Sequence, residues 1–281
     1  MTAAAVATHR LPAPARRLWV STFWTLLARD FRVMRREFVG LLIRAVMQPL
    51  AFTFVFTYVM PKIGLAGAPG ISQTGFNTVL VPGLLAITIA LQGINAVVMP
   101  LLMELQYTKE IEDRALAPAP VWLIGAAKIF TGGTQAFVAA LFVFPIVMLV
   151  HASGHRPIVH IYHWPLFAAT VLLSCLLAGA FGLLMGTIID IRKAQIFFAI
   201  LVTPLTMLGC VYYPWSTLAP VRWLQYLVLV NPVVYMSEGL RASLTPQIGH
   251  MPVWAFLGAL SGGTLVVSCV AVRKFTQRVV L

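Results

Sequence analysis

Charge is what this chain has least of. Of its 281 residues only 10% are Asp, Glu, Lys or Arg, and eight are carboxylates. Soluble domains carry about 25% charged residues. With 60% of the chain hydrophobic, there is too little polar surface to wrap one soluble core, and the bilayer is the solvent this composition calls for. Cysteine is equally scarce. Cys175, Cys210 and Cys269 all fall inside or at the edge of apolar runs, an odd number with no framework or metal-ligand spacing. The chain also lacks a GxxxxGK[ST] phosphate loop, a dinucleotide loop, a nucleophile elbow and a paired-carboxylate site. No cofactor or metal is therefore expected to bind it directly. Finally, no Asp, Glu, Lys, Arg or His lies in the middle of an apolar run. Proton- and ion-driven carriers keep such a group at mid-membrane, so ion-coupled transport is disfavoured.

What is present is a series of apolar runs separated by cations. The net charge of +12 would fit a nucleic-acid binder. The cations, however, sit between apolar runs and not on a polar domain, so no nucleic-acid partner is expected. A span needs about 20 apolar residues to cross about 30 Å of hydrocarbon. Six runs meet or approach this: 41–60, 79–102, 124–150, 165–189, 195–212 and 253–272. The expected fold is an all-α polytopic membrane protein of six transmembrane helices. Residues 1–17 form a cytoplasmic leader, 18–40 an amphipathic interfacial helix, and 41–281 the transmembrane domain. Met1 to Thr8 is too short for a signal-peptide core, and Arg10, Arg16 and Arg17 follow it, so the N-terminus is expected inside. Six spans then place 16 of the 20 lysines and arginines on the inner side, with only Lys62, Arg156, Arg222 and Arg241 outside. Both termini are expected in the cytoplasm. Trp122, Trp164, Trp215, Trp223 and Trp254 lie at or just outside the ends of runs, at headgroup level, where indole is most stable.

Several segments stand out. Val20, Trp24, Leu27, Phe31, Met34 and Phe38 recur at steps of three and four, with Thr22, Thr25, Arg29, Arg32 and Arg36 on another face. That pattern predicts a basic amphipathic helix lying on the inner interface against lipid headgroups. The inner loop 103–121 holds half of the carboxylates. Lys109 with Asp113 and Glu110 with Arg114 are i,i+4 pairs, and with Glu112 they predict a short charged helix, ended by Pro118 and Pro120 and flanked by apolar Ile111 and Leu116. Such dense mixed charge suits docking to another protein. Ala178, Gly182 and Gly186, with Gly179 beside them, form a small-xxx-small row for close helix packing. His151, His155, His160 and His163 lie in an outer loop that Pro157 interrupts, and they read as a wet loop cluster, not a metal site. The apolar stretch 224–240 is broken at Asn231-Pro232 and holds Glu238, so it is expected to dip into the outer leaflet and return. Pairing with Arg241, three residues on, lowers the cost of placing Glu238 there.

Together these segments resemble the type-2 ATP-binding-cassette exporter permeases. The resemblance runs from residue 18 over most of the chain. It rests on the amphipathic elbow helix, Pro82-Gly83 near the start of span two, the charged inner loop, and the Asn-Pro, aromatic, Glu-Gly-Leu-Arg series at Asn231, Pro232, Tyr235, Glu238 and Arg241. It implies a permease homodimer or heterodimer in the bacterial inner membrane, served by separate ATPase subunits that bind ATP and Mg. It implies that Lys109 to Arg114 couple to that ATPase, and that re-entrant outer helices around Asn231 and Glu238 cap the exit. The passage would run between spans two and five, with Gln92, Asn95, Phe197, Phe198, Thr203 and Met207 as wall candidates. The apolar wall favours drug and lipid exporters of the daunorubicin type over polysaccharide or lipo-oligosaccharide exporters. A membrane enzyme acting on lipids is the reading from another class, with the histidine loop and Glu238 as its only resources. Arg114→Glu is expected to abolish co-purification of the ATPase while leaving membrane insertion intact; normal co-purification of this variant would remove the docking role.

Overall fold

The computed structural model describes residues 15–59, 73–107, 120–149 and 159–280. Among the described residues the chain is all helical, without strands. Helix α1 spans Ala15–Arg36. Helix α2, Phe38–Thr53, continues as a π-helical stretch, Phe54–Val59. Then come α3 Gln73–Gln106, α4 Val121–Leu149, α5 Trp164–Ile188, α6 Ala194–Met207, α7 Arg222–Leu227, α8 Pro232–Leu244 and α9 Val253–Val280. Short 3₁₀ turns at Ile191–Lys193, Trp215–Leu218 and Val228–Val230 join the later elements.

Four helices are long and apolar enough to cross a bilayer: Gly75–Gln106, Val121–Leu149, Trp164–Ile188 and Val253–Val279. They correspond to the second, third, fourth and sixth expected runs. The first and fifth runs correspond to shorter apolar helices, Phe38–Thr53 and Phe198–Met207. The fifth run reads as apolar to Tyr212, but its helix stops at Met207. Pro204 and Gly209 weaken its end, and Cys210 turns the chain through a φ of 50°, in the left-handed region. At the other end of the chain, the stretch 18–40 is two helices. Glu37, at φ −97° and ψ 14°, separates α1 from α2.

Helix α5 is the axis of the bundle and packs on α3, α4 and α9. Its small residues are what let it do so. A Cβ on Gly179 would sit 2.4 Å from the carbonyl oxygen of Ile129 in α4. One on Gly182 would sit 2.9 Å from the carbonyl oxygen of Ile94 in α3, and one on Gly186 2.9 Å from Leu101. Gly93 and Gly132 answer from the facing helices: a Cβ on Gly93 would meet that of Ala178 at 2.5 Å. The small-xxx-small row thus packs within the chain, backbone against backbone, where dispersion replaces the hydrophobic effect as the cohesive force. Hydroxyls inside the bundle bond back to the preceding turn, as Thr88 Oγ1 does to Leu84 O and Thr187 Oγ1 to Leu183 O, both at 2.7 Å. This satisfies those two without water, whereas Thr170 Oγ1 and Ser174 Oγ, buried on α5, have no partner.

Helix α1 lies along α4. The stripe that meets α4 is not the one the sequence periodicity singles out. Phe23 stacks edge-on to Phe130 at 5.6 Å, Trp19 meets Trp122 at 6.4 Å, and Asp30 Oδ2 accepts a hydrogen bond from Thr131 Oγ1 at 3.0 Å. Of the expected stripe, Met34 is buried while Val20, Trp24 and Phe31 are exposed. The helix therefore has two apolar faces, one packed on α4 and one exposed.

Gly179→Ala is expected to cost about 1–3 kcal/mol, because the added methyl meets backbone that cannot yield. Gly258→Ala, where nothing lies within 4 Å, should be neutral or slightly stabilising through helix propensity. Thermal unfolding of the two variants in detergent separates these outcomes.

Candidate functional site

The segment from Leu208 to Met251 forms a compact cap over one end of the bundle. Asn231 starts α8: its Oδ1 accepts from Val233 N at 3.0 Å, and Pro232 occupies the first turn, where no N–H is needed. Its Nδ2 donates to the carbonyls of Pro204 and Leu205 at 3.2 Å, tying the end of α6 to the start of α8. Tyr235 OH donates to Leu229 O at 2.8 Å across the break. The Asn-Pro pair therefore makes two elements of one apolar stretch and fixes the angle between them.

From Val233 to Leu244 every residue except Tyr235 is buried, including Glu238 and Arg241, which have no solvent exposure. Arg241 Nη1 donates to Glu238 Oε1 at 2.5 Å. The same oxygen accepts from Trp215 N at 2.9 Å, and Oε2 accepts from Met251 N at 2.8 Å. Arg241 Nη2 donates to Cys210 O at 3.2 Å, while its Nε has no partner. Ser237 Oγ donates to Gly209 O at 3.0 Å. One ion pair thus gathers the turn after α6, the Trp215 turn, α8 and the lead into α9.

Two glycines bring this cap down on the bundle. A Cβ on Gly83 would sit 1.9 Å from Val211 O, and one on Gly239 would sit 2.6 Å from Thr170 Cγ2. The Pro82-Gly83 pair therefore marks the point where α3 touches the backbone that follows Cys210.

At the opposite end, Lys128 Nζ meets Glu104 Oε1 at 2.9 Å, with both side chains largely buried. Lys128 and Thr131 are three apart on α4, so one face of α4 holds both the last turns of α3 and, through Asp30, α1. Glu104 lies on α3 just before residues 108–119. Lys109, Glu110, Glu112, Asp113 and Arg114 fall in that stretch, outside the described residues.

The passage candidates separate into two groups. Asn95 on α3 and Thr203 and Met207 on α6 are exposed. Gln92 is half-buried and faces a narrow crevice lined by Ala45, Pro49 and Phe52 of α2. Phe198 turns inward against the core. Phe197 lies on α6, and its side chain is outside the described residues. Exposed Met99 and Met103 continue the Asn95 face, and Ile196 and Ile200 continue the Thr203 face. Behind α6 lies an apolar cavity of about 370 Å³, bounded by Ile94, Phe181, Leu201, Leu205, Val230 and Met236. Asn231 is the one amide on its wall, and its nitrogen is already bonded. Among the described residues no group of three His, Cys, Asp or Glu side chains is placed to hold a metal. His151 and His155 lie outside them, and His160 stacks edge-on to Tyr162.

A model of the ABC-2 type transporter family matches residues 21–245. The chain belongs to the ABC-2 type transporter family. The inner membrane transport permease YadH of Escherichia coli strain K12 is 27% identical over 245 residues, covering 85% of this chain and 90% of that protein. The permease of the same name from Shigella flexneri matches to the same extent. The stretch matched by the ABC-2 model ends one residue beyond α8, so it contains both partners of the ion pair but not Met251 or α9.

In this ABC-2 chain, sequence pattern alone locates Asn231, Glu238 and Arg241 but not what they hold. Glu104 is read from sequence only as one charge of the inner loop, and Asp30 not at all, because their partners lie 24 and 101 residues away and no local spacing encodes them. Arg241→Ala and Glu238→Ala should each destabilise by about 3–5 kcal/mol, since each leaves a buried charge unpaired. The Glu238→Met, Arg241→Met double variant should recover part of this loss. It would not recover all, because the N–H groups of Trp215 and Met251 would still lose their acceptor at about 1–3 kcal/mol each. A double-variant cycle in thermal unfolding measures the difference.

Proposed function

We propose that this chain is the membrane-embedded permease subunit of an ATP-driven exporter in a bacterial inner membrane. In this reading it works as a homodimer or heterodimer with separate ATPase subunits, which carry ATP and Mg. The observation that carries the reading is the ABC-2 match over residues 21–245 in a chain that has no phosphate loop of its own. The name of the E. coli relative, an inner membrane transport permease, supports the location and the transport role.

Six spans, with both termini inside, follow if α2 with its π-helical extension and α6 serve as the two shorter crossings. The segments 215–230 and 232–244 are then re-entrant, and Asn231, Pro232, Tyr235, Glu238 and Arg241 form the outer gate. Residues 109–114 receive the movement of the ATPase. The buried Lys128–Glu104 pair and the Asp30–Thr131 bond pass it to α4 and α1 together. The exposed faces of α3 and α6, around Asn95, Thr203 and Met207, meet their counterparts across the dimer axis and line the passage.

The cargo is lipid-like or an amphiphilic drug. Support comes from the walls: Met99, Met103, Ile196, Ile200 and Met207 are exposed and apolar, and the cavity behind α6 is apolar nearly throughout. A sugar polymer would need a continuous hydrogen-bonding surface, and the described part of these faces offers it mainly Asn95 and Thr203. A lipid-modifying enzyme would need a free acid or base, and both oxygens of Glu238 are already bonded.

The test is purification of the tagged full chain from its native membrane, identification of any phosphate-loop ATPase that comes with it, and ATP hydrolysis by that complex in nanodiscs with alkyl-chain amphiphiles. A stable complex whose hydrolysis rises severalfold with amphiphile, and not with oligosaccharide, is the expected result. A chain that purifies without an ATPase would end the exporter reading. Stimulation by oligosaccharide alone would end the assignment of cargo.

A further inference from the structure

A second cavity, of about 410 Å³, lies at the far end of the bundle from the cap, between the ends of α5 and α9. Thr187, Ile188, Lys274, Gln277 and Arg278 line it. Its depth follows from helix length. From Trp254 to Lys274 is 20 residues of α9, about 30 Å at 1.5 Å per residue, which is the hydrocarbon thickness of a bilayer. Trp254 is 79% exposed, as an interfacial tryptophan should be. With Trp254 at one headgroup layer, Lys274 lies at the other.

The cavity is cationic for a structural reason. The C-terminal end of a helix normally repels anions through its unpaired carbonyls. Here Arg278 Nη1 donates to Thr187 O, and Gln106 Nε2 donates to Ile189 O at 3.3 Å. Those carbonyls are thereby covered, and the Lys274 ammonium, the Gln277 amide and the remaining N–H groups of Arg278 are left facing outward. Arg192 and Lys193, both exposed, follow in the next turn, with Asp190 the single carboxylate of that stretch.

The apolar surface leading to the cavity has a direction. Gly262, Val266, Val270, Lys274 and Gln277 recur at steps of four, four, four and three, and so share one face of α9. Val266 and Val270 are exposed, and nothing stands within 4 Å of a Cβ on Gly262. One shallow apolar track therefore runs down the membrane face of α9 and ends at the cations.

From these features we propose that the α5–α9 cavity is a binding site for one acidic phospholipid. Its phosphate is held by Lys274, Gln277 and Arg278, and an acyl chain lies along Gly262, Val266 and Val270. A soluble anion would have no use for the track, and a polar partner surface would have no use for its apolar length. The proposal rests on the membrane placement of α9, not on what the transporter moves.

The test is native mass spectrometry of the full chain in mild detergent, titrated with dioleoylphosphatidylglycerol or dioleoylphosphatidylcholine. The wild-type chain should retain the glycerol lipid about fivefold more tightly, the effect of one cation near the membrane surface. Lys274→Gln, at an exposed position that folding does not depend on, should remove that preference. Val270→Ser should weaken both lipids alike, and Arg222→Gln, at the other membrane face, should change neither. Equal retention of the two lipids by the wild-type chain, or the same loss with Arg222→Gln, would overturn the site. Displacement of the glycerol lipid by equimolar inorganic phosphate would make it a simple anion site and overturn the lipid assignment. Loss of a co-purified ATPase in Lys274→Gln with lipid preference intact would assign the patch to that partner instead.

Discussion

Two opposite charges with no access to water hold this structure's most irregular region in place. Desolvating them is costly, and their attraction repays it only if their remaining hydrogen-bonding capacity is met. Glu238 meets it with the N–H groups of Trp215 and Met251, and Arg241 meets part of it with the carbonyl of Cys210, its Nε being left without a partner. Those three groups lie where the chain is not a long helix and is largely buried, and their backbone polarity has to be satisfied internally. The ion pair is thus less a bond between two side chains than a substitute for secondary structure. Around it a turn, two short helices and the entry to α9 take one arrangement, and Gly83 and Gly239 let that arrangement sit directly on α3 and α5.

The rest of the bundle is held by a different force. Along α5 the glycine and alanine positions remove side chains where three helices converge, and contact is made through backbone. Charge pairing organises one end and close packing the middle, while a second, partly buried pair, Lys128–Glu104, organises the other end. The two ionic nodes are therefore separated along the helix axes by a rigid apolar section. Under the transporter reading, a displacement entering beside Glu104 would reach the cap through stiff helices and not through loops.

Much of this was legible in the sequence, and the failures have physical causes. Long apolar runs identify α3, α4, α5 and α9 because length and hydropathy are local properties. The break at Asn231-Pro232 and the Glu238–Arg241 pairing were readable because proline geometry and i,i+3 spacing are local too. The end of α6 was not: Leu208 to Tyr212 is as apolar as any span, and although Pro204 and Gly209 weaken the helix there, the bond from Asn231 and the contact of Val211 with Gly83 that fix the turn are long-range. On α1, periodicity detects an apolar stripe but does not say what will cover it: Val20, Trp24 and Phe31 are exposed, while Trp19 and Phe23 meet α4. Residues 109–114, expected from the sequence to couple to the ATPase, lie outside the described residues.

Helix α6 has an unusual mechanical position. Its far end is pinned by Asn231, its near end continues from the turn at Ile191–Lys193, and between them part of its inner face borders the 370 Å³ cavity while Phe198 and Leu205 pack on the core. Beside that cavity α6 has room to move inward, whereas moving α3 or α5 would force backbone into backbone. The helix with this free volume behind it also carries an exposed apolar face.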